Sequence, residues 1–394
     1  MIETIQIKNF KSVVDLSLDL GTFNVLIGEN GCGKSNILEA IAFGAAASAD
    51  KLDFEFLGSR GIRMTNPEFM FSAFSNGTKE KSIKIDFVTE KKSYDFDLEC
   101  ELKNQKKWTN RNKELAVKEV DRLIEALRKR VKIIIDEEKK EITKASVPDK
   151  NKEKKYSLKD IMNATGSSLE ELFFNNDIAN YIVYSPEQSS LRKFEETNQI
   201  YPLGIKGEGL FQFLKELAFD KKNNKTLTDI KQSLILLDWY EDFDLPENLM
   251  KNEFSLKIKD KYLYEKLQYF DQRSTNEGFL FLLFYSTLFI SKATPTFFAI
   301  DNIDASFNPK LCMQLIKNLA ALAKKHKKQV VVTTHNPAIL DGLNLKDSSQ
   351  RLFVVRRNDE GHTKAKRIEF KSERKMKLSE VWTNGFIGGL PENF

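Results

Sequence analysis

Apolar and polar residues alternate along the start of the chain. The alternation covers Glu3 to Lys8 and Val13 to Leu20, and the shorter run from Phe23 to Ile27 is mostly apolar. Alternation is typical of half-buried strands, and a short apolar run bounded by turn residues is typical of a fully buried strand. We therefore predict two strands, Glu3 to Lys8 and Phe23 to Ile27, separated by the second alternating stretch. Together they form a sheet edge leading into the segment after Ile27.

Similar patterns predict the elements of the rest of the chain. Alternation predicts a hairpin at residues 82–88 and 94–100 and a strand at 181–184, followed by a turn at 185–188. Residues 191–270 look mainly helical, with a strand at 254–258. Two apolar strands are predicted at 295–301 and 329–334, and a C-terminal hairpin at 352–357 and 366–370 precedes a last helix.

A charged segment with helical periodicity interrupts this pattern. Between residues 103 and 160 the chain has 19 Lys and Arg against 11 Asp and Glu, a net charge of +8. Apolar residues at helical spacing from Val120 to Ile135 predict one long amphipathic helix, and residues 139–156 read as a solvated loop. Two interpretations stay open: a solvated charged helix, or an arm at 103–160 that binds DNA, RNA or a protein partner.

Composition limits the class of protein only broadly. The 394 residues, 41% of them hydrophobic, allow two to three domains with a sizeable core, and the net charge of +5 is weak evidence for a nucleic-acid partner. The three cysteines are far apart and suit a reducing compartment. The longest apolar run, Phe279 to Ile290, is shorter than the about 20 residues that a bilayer span needs. We therefore expect a cytoplasmic protein with no membrane association.

Residues 28–35 form a phosphate-binding loop of the form G-x-x-x-x-G-K-S. The loop follows an apolar strand and precedes a predicted helix, which is the context that such a loop requires. Its glycines let backbone N–H groups face phosphate oxygens, Lys34 supplies a cation, and the Ser35 hydroxyl is a ligand for Mg²⁺. The predicted nucleotide-binding residues here are Asn30, Gly31, Cys32, Gly33, Lys34, Ser35 and Asn36.

Two later strands end in residues that can complete this site. Residues 295–301 are an apolar strand that ends in Asp301, whose carboxylate can hold Mg²⁺ through its water shell, opposite Ser35. Residues 329–337 contain a second apolar strand that is followed by His335. We predict that His335 is a polar sensor of the γ-phosphate.

These motifs resemble the ATP-binding-cassette (ABC) ATPases of the RecF, SMC and OLD type, especially compact bacterial AAA-family ATPases of antiphage defence systems. The resemblance covers about residues 1–102 and 181–394. It implies an α/β fold: a P-loop ABC-ATPase head with a mixed sheet, a helical lobe and a charged helical insertion. It also implies that Lys11, in the opening motif Ile7 to Ser12, contacts ATP, and that Gln188 is the Q-loop glutamine and a Mg²⁺ ligand. Asn308 matches the D-loop polar residue.

The signature segment of this family corresponds to Ser274 to Phe281. Asn276 stands where serine is usual, and Gly278 is the signature glycine. In this family the signature of one subunit completes the ATP site of another. The resemblance therefore implies a homodimer, or a higher homo-oligomer, with composite ATP sites.

One residue departs from the family pattern. The residue after Asp301 is Asn302 instead of the usual glutamate, and an amide can orient water but cannot accept its proton. We therefore expect slow hydrolysis in which Asp301, Asn302, His335 and Gln188 form the catalytic set. Asp304 is the acid nearest to Asn302 in sequence. Because it lies two residues after Asn302, we expect its side chain to point elsewhere.

The predicted organisation has four parts: 1–102 with the phosphate loop, 103–180 as the insertion, 181–280 as the helical lobe with Q-loop and signature, and 281–394 with Asp301, Asn308 and His335. The related OLD-type proteins carry a fused nuclease, and this chain has no segment that matches one. The predicted function is an ATP-binding sensor or scaffold that controls a separate effector, a nuclease or toxin, in antiphage defence. The alternative is a RecF/SMC-like DNA repair or recombination ATPase.

Overall fold

The computed structural model of the chain describes residues 1–74, 82–101, 107–115, 117, 118, 122, 175–193, 200–245, 256–264, 267–373 and 375–390. The amphipathic helix predicted from residue 120 to 135, apart from residue 122, and the predicted loop at 139–156 lie outside these residues.

The first half of the described chain is mainly strands. Its elements are β1 (Ile2–Phe10), β2 (Val13–Asp19), β3 (Phe23–Ile27), α1 (Lys34–Ser48), α2 (Phe54–Ser59), β4 (Ser82–Thr89), β5 (Ser93–Glu101), β6 (Lys107–Asn110), α3 (Asn176–Ala179), β7 (Val183–Tyr184) and α4 (Gln188–Leu191).

The second half contains the longer helices. Its elements are α5 (Leu210–Phe219), α6 (Asn224–Ser233), β8 (Tyr240–Asp244), β9 (Lys257–Asp260), α7 (Glu277–Ile290), β10 (Phe297–Ile300), α8 (Pro309–His326), β11 (Gln329–Thr334), β12 (Gln350–Arg357), β13 (Thr363–Ile368) and α9 (Leu378–Thr383). Short 3₁₀ turns at Pro67–Phe69, Lys221–Asn223, Leu234–Leu236 and Pro337–Gly342 connect some of them.

The central sheet is mixed, as predicted. Among the described residues it has six strands in the order β13-β12-β3-β11-β10-β7, and only the edge pair β12 and β13 is antiparallel. Parallel strands end at the same edge of a sheet, so the segments after β3, β10 and β11 lie side by side. These are the segments that carry the phosphate loop, Asp301 and His335.

The first two strands belong to a different sheet. They form a five-stranded antiparallel sheet in the order β2-β1-β4-β5-β6. The prediction that they form an edge of the sheet leading into the phosphate loop is therefore wrong. Strand β1 already pairs with β2 on one side and β4 on the other, so it has no free edge for β3. The strand Lys107–Asn110, which the sequence places in the insertion, is the last strand of this sheet.

The central sheet is buried on both faces. Along β11, Val330 and Val332 pack against the helical lobe, whereas Val331 packs towards the five-stranded sheet. Helix α1 fills the space between the two sheets, and all of its residues except Ser35 and Asn36 are buried. Helix α7 is buried over Phe279 to Ile290 on the opposite face, which explains why its apolar run has no polar side. The phosphate loop is thus held by a rigid three-layer core.

None of the helices in the described ranges combines the length and the apolar character that crossing a bilayer requires.

Candidate functional site

The phosphate loop connects the end of β3 to the start of α1. Gly31 and Gly33 adopt positive φ angles of 76° and 105°, a region that side chains rarely occupy. A Cβ atom at Gly33 would lie 2.0 Å from the Thr363 hydroxyl oxygen, so the close packing there also requires glycine. The loop therefore has the backbone geometry that the motif predicts.

Lys34 is buried at the base of this loop. Its ammonium group donates to the carbonyl oxygens of Gly28 and Glu29, at 3.0 and 2.9 Å, and lies 3.7 Å from the Cys32 sulfur. Burial lowers the pKa of Lys34, although Cys32 and Asp301 oppose this effect. The lysine is thus anchored inside the loop by carbonyl groups.

Ser35 and Asp301 meet directly. The Ser35 hydroxyl donates to Oδ2 of Asp301 at 2.9 Å, and the other carboxylate oxygen accepts a very short hydrogen bond from Thr333 on β11. Adjacent ligands of an octahedral Mg²⁺ at its usual bond lengths are about 2.9 Å apart. Two hard oxygen donors at this separation, beside the phosphate loop, fit a magnesium site. Thr333 was not predicted from the sequence.

Asn302 stands at the end of β10 in a left-handed conformation, with φ of 55°. Its backbone N–H donates to the Thr333 hydroxyl at 2.9 Å, and its side chain is exposed. Asparagine adopts this conformation more readily than glutamate. Asp304 accepts a hydrogen bond of 2.6 Å from Thr334, so its carboxylate is held at the end of β11.

His335 directly follows β11, beside the base of the phosphate loop. Partial burial, followed by the charge of Lys34, lowers the pKa of His335, while Asp304 and Asp301 oppose the shift. The imidazole is therefore neutral at neutral pH and can donate or accept one hydrogen bond at the loop. The structure brings this residue to the edge where Asp301 lies, as the strand order requires.

Lys11 lies in the tight turn between β1 and β2. Its ammonium group forms an ion pair with Glu39 of α1, and Arg63 contacts the other oxygen of the same carboxylate. Glu39 is almost completely buried, so this pair of cations neutralises a charge that burial would otherwise penalise. Arg63 also donates to the Asn36 side chain at 3.2 Å, which connects the pair to the end of the phosphate loop.

The signature segment begins helix α7. The Asn276 side chain accepts a hydrogen bond of 2.9 Å from the Phe279 N–H and so caps the helix. A Cβ at Gly278 would be in ordinary van der Waals contact, because its nearest atoms would lie 3.6 Å or more away. Ser306 donates to Glu277 at 2.7 Å, and this contact links the signature to the D-loop, where Asn308 caps helix α8.

An arginine joins the Q-loop region to the signature segment. Gln188 is exposed at the first position of α4, and Arg192 follows directly after that helix. The Arg192 guanidinium donates to three carbonyl oxygens, those of Gln272 (2.9 Å), Arg273 (2.8 Å) and Thr275 (2.9 Å). The sequence contains no motif that predicts this contact, since carbonyl acceptors have no sequence signature.

The fold and this arrangement define a compact ABC/SMC-like ATPase. Over residues 23–341 the chain matches the model of a family described as "AAA domain, putative AbiEii toxin, Type IV TA system". Because the match spans most of the chain, the chain belongs to this family. Proteins of the AAA and SMC ATPase class generally bind ATP with Mg²⁺, and the donor set of Ser35 and Asp301 fits that metal.

A solved structure described as SmcHead bound to the C-winged helix domain of ScpA has a related fold. It superimposes with a TM-score of 0.52 at 15% identity and covers 95% of this chain and 100% of that chain. The similarity shows that the chain has the fold of an SMC head.

Curated relatives match shorter segments. The chain is 34% identical over 96 residues to uncharacterized protein MJECL10 of Methanocaldococcus jannaschii, which is 23% of this chain and 43% of that protein. It is 54% identical over 43 residues to the chromosome partition protein Smc of the same organism, which is 11% of this chain and 4% of that protein. The chain therefore spans less than half the length of either relative.

Proposed function

We propose that this chain is an ATP-binding subunit that dimerises around ATP, hydrolyses it slowly and controls a separate effector. The observation that carries the proposal is the contact between Ser35 and Asp301, which joins the two halves of the nucleotide site. The further features that support it are the buried Lys34, the neutral His335 and the amide at position 302.

In the proposed site, the backbone N–H groups of the loop and the ammonium of Lys34 bind the phosphates. Ser35 and Asp301 would hold Mg²⁺, which supplies positive charge beside the phosphate oxygens when it is bound. Asn30, Cys32 and Asn36 flank the phosphates, and Lys11 extends this surface from the neighbouring sheet. Gln188 and His335 would report on the γ-phosphate.

Slow hydrolysis follows from the side chain of Asn302. The amide can orient a water molecule near the γ-phosphate, but it cannot take the proton that an attacking water must lose. Positioning and charge stabilisation still promote phosphoryl transfer without that base. ATP occupancy, more than ATP turnover, would then set the state of the protein.

The exposed Asn276 and the half-buried Gly278, at the start of α7, support a composite site. The Asn276 carbonyl oxygen caps α7, which leaves its Nδ2 group as a donor, and the helix N-terminus at Gly278 favours an anion. A second copy could bring its γ-phosphate to this surface. We therefore propose a head-to-tail homodimer, or a higher homo-oligomer, with ATP between the subunits.

The proposed setting is bacterial antiphage defence, with a nuclease or toxin as the effector. The family description names a toxin and a Type IV TA system, which supports a setting in which a toxin takes part. The alternative is a RecF/SMC-like repair or recombination ATPase, and the match to chromosome partition protein Smc favours it. The charged segment 103–160 could then bind DNA or RNA.

Steady-state phosphate release tests the site. We expect measurable ATP binding, slow release of phosphate, and loss of both in Lys34→Ala. Fast turnover that Lys34→Ala abolishes and Asn302→Ala leaves unchanged would contradict the proposal. Purification of the chain with the products of its neighbouring genes would then distinguish defence from repair. An effector nuclease or toxin is expected among them for defence, and replication or recombination proteins for repair.

A further inference from the structure

A threonine of the C-terminal hairpin contacts the backbone of the phosphate loop. Thr363 is the first residue of β13 and is completely buried. Its hydroxyl donates to the carbonyl oxygen of Cys32 at 2.9 Å, across 331 residues of chain, and lies 2.7 Å from the Ser12 hydroxyl. Its backbone N–H donates to the Ser12 carbonyl at 2.8 Å, which fixes the position of the threonine against the loop.

These contacts form a chain of hydrogen bonds with one direction. A hydroxyl group has a single proton, and Thr363 gives it to Cys32, so Ser12 must be the donor in the contact between the two hydroxyl groups. The Ser12 oxygen in turn accepts from the Asn36 side chain at 2.7 Å. This series of hydrogen bonds therefore runs from Asn36 through Ser12 and Thr363 to the Cys32 carbonyl, and each of these groups has a partner.

The carbonyl at the end of this chain sets the direction of an N–H group. The Cys32 carbonyl and the Gly33 N–H belong to one planar trans peptide unit, in which they point in opposite directions. Because Thr363 holds the carbonyl on the outer side of the loop, the Gly33 N–H is turned towards the inner side. A Cβ at Gly33 would lie 2.0 Å from the Thr363 hydroxyl oxygen, so the contact depends on glycine.

We propose that Thr363 is a positioning residue for nucleotide binding, which acts by aiming the Gly33 N–H at a phosphate of ATP. This inference rests on the proposed function of the loop as an ATP site. It adds a residue outside the phosphate-loop motif, contributed by the C-terminal hairpin of β12 and β13. The hydroxyl, and not merely the volume of the side chain, is the required feature.

The test compares Thr363→Val, which keeps the shape and removes the hydroxyl, with Thr363→Ser, which keeps the hydroxyl. Titration of each purified variant with ATP and Mg²⁺ gives the dissociation constant. We expect Thr363→Val to weaken ATP binding about tenfold, since loss of one hydrogen bond that orients a ligand group is worth this much, and Thr363→Ser to bind within about twofold of the original chain.

Thr294→Val is the matched control for stability. Thr294 is also buried, and its hydroxyl lies 2.7 and 2.8 Å from the carbonyl oxygens of Leu288 and Ser291, which share its proton, at the end of α7. This variant should lower the unfolding temperature and leave ATP affinity unchanged. If Thr363→Val does not fold, Ser12→Ala serves in its place. This variant interrupts the same series of hydrogen bonds one step earlier and should weaken ATP binding severalfold.

The outcomes separate the two proposals. If the original chain binds no ATP, the proposed function is wrong. If the original chain binds ATP and Thr363→Val, or Ser12→Ala in its place, binds it equally well, the site stands and the role of Thr363 is refuted. Equal losses in Thr363→Val and Thr363→Ser would also refute it, because the effect would then be steric.

Discussion

The Ser35 hydroxyl and the Asp301 carboxylate are hydrogen-bonded at 2.9 Å, although 266 residues separate them in the sequence. Strand β11 lies between the strands that precede them and contributes Thr333, which binds the other oxygen of the same carboxylate. The orientation of Asp301 is therefore fixed from both sides. The carboxylate is thus oriented within the proposed metal site by this chain's own side chains.

Asp301→Asn should remove the benefit of Mg²⁺ for ATP binding. The amide keeps the size of the side chain but loses the charge that a divalent cation requires. We expect the affinity for ATP in the presence of Mg²⁺ to fall to the value measured with EDTA, whereas the EDTA value itself changes little. Paired ATP titrations with and without metal measure this. A variant that still gains affinity from Mg²⁺ as the original chain does would contradict the assignment.

Asn302→Glu should speed hydrolysis. A carboxylate at this position can accept the proton of the attacking water, and general base catalysis of this kind is worth about 100-fold. The left-handed backbone at residue 302 should make the glutamate variant less stable, by roughly 1 kcal/mol. Steady-state phosphate release measures the gain, with Asn302→Gln as the control of similar size. Equal rates for the Glu and Gln variants would show that residue 302 does not limit turnover.

The parts of the site that follow from local sequence were predictable. A phosphate loop needs glycines, a lysine and a serine in consecutive positions, and the apolar runs before Asp301 and His335 identify buried parallel strands. The family resemblance also implied a mixed sheet, and this is confirmed.

Other parts depend on pairing across the fold and have no local signal. The assignment of β1 and β2 to a separate sheet depends on which strand edges meet, and periodicity does not encode this. Thr333, Thr363 and Arg192 are single polar residues whose partners are remote in sequence, and several of those partners are backbone carbonyls. Their roles became visible only when the contacts were known.

Arg192→Lys should uncouple the Q-loop region from the signature segment. A lysine ammonium cannot reproduce the planar fork that donates to the carbonyls of Gln272, Arg273 and Thr275. We expect ATP affinity of the monomer to stay within about twofold, because nothing at the phosphate loop changes, and ATP-dependent self-association to weaken about tenfold. Analytical ultracentrifugation measures the association.

Arg111→Lys is the control for this substitution, since Arg111 forms an exposed ion pair with Glu99 on the five-stranded sheet. It should behave as the original chain does. Self-association that is the same for both lysine variants would refute the coupling role of Arg192.

Asp86→Asn should stabilise the protein at neutral pH. Burial and the facing carboxylate of Asp95 raise the pKa of Asp86 to about 6, and the charges of Lys8 and Lys84 partly oppose this rise. The folded chain therefore binds this proton more tightly than the unfolded chain, so stability is lost as the pH rises from about 4 through 6. The amide avoids this loss and should add about 1 kcal/mol at pH 8 after allowance for solvent screening.

Urea unfolding of the two proteins at pH 8 and at pH 5 measures the difference. The stabilising effect of Asp86→Asn should be larger at pH 8, where the carboxyl of the original chain is ionised. If the effect of Asp86→Asn on stability is independent of pH, or if the variant is less stable at pH 8, the raised pKa of Asp86 does not determine the stability of the Asp86 and Asp95 pair.

In the proposed function, ATP occupancy assembles the composite site. Light scattering during size-exclusion chromatography measures the molar mass of the purified chain directly. The chain is eluted once without nucleotide and once with ATP and Mg²⁺. The account predicts a mass near 45.4 kDa without nucleotide, at least twice that mass with ATP, and no increase for Lys34→Ala. A mass that is the same with and without ATP, or an equal increase in Lys34→Ala, would contradict it.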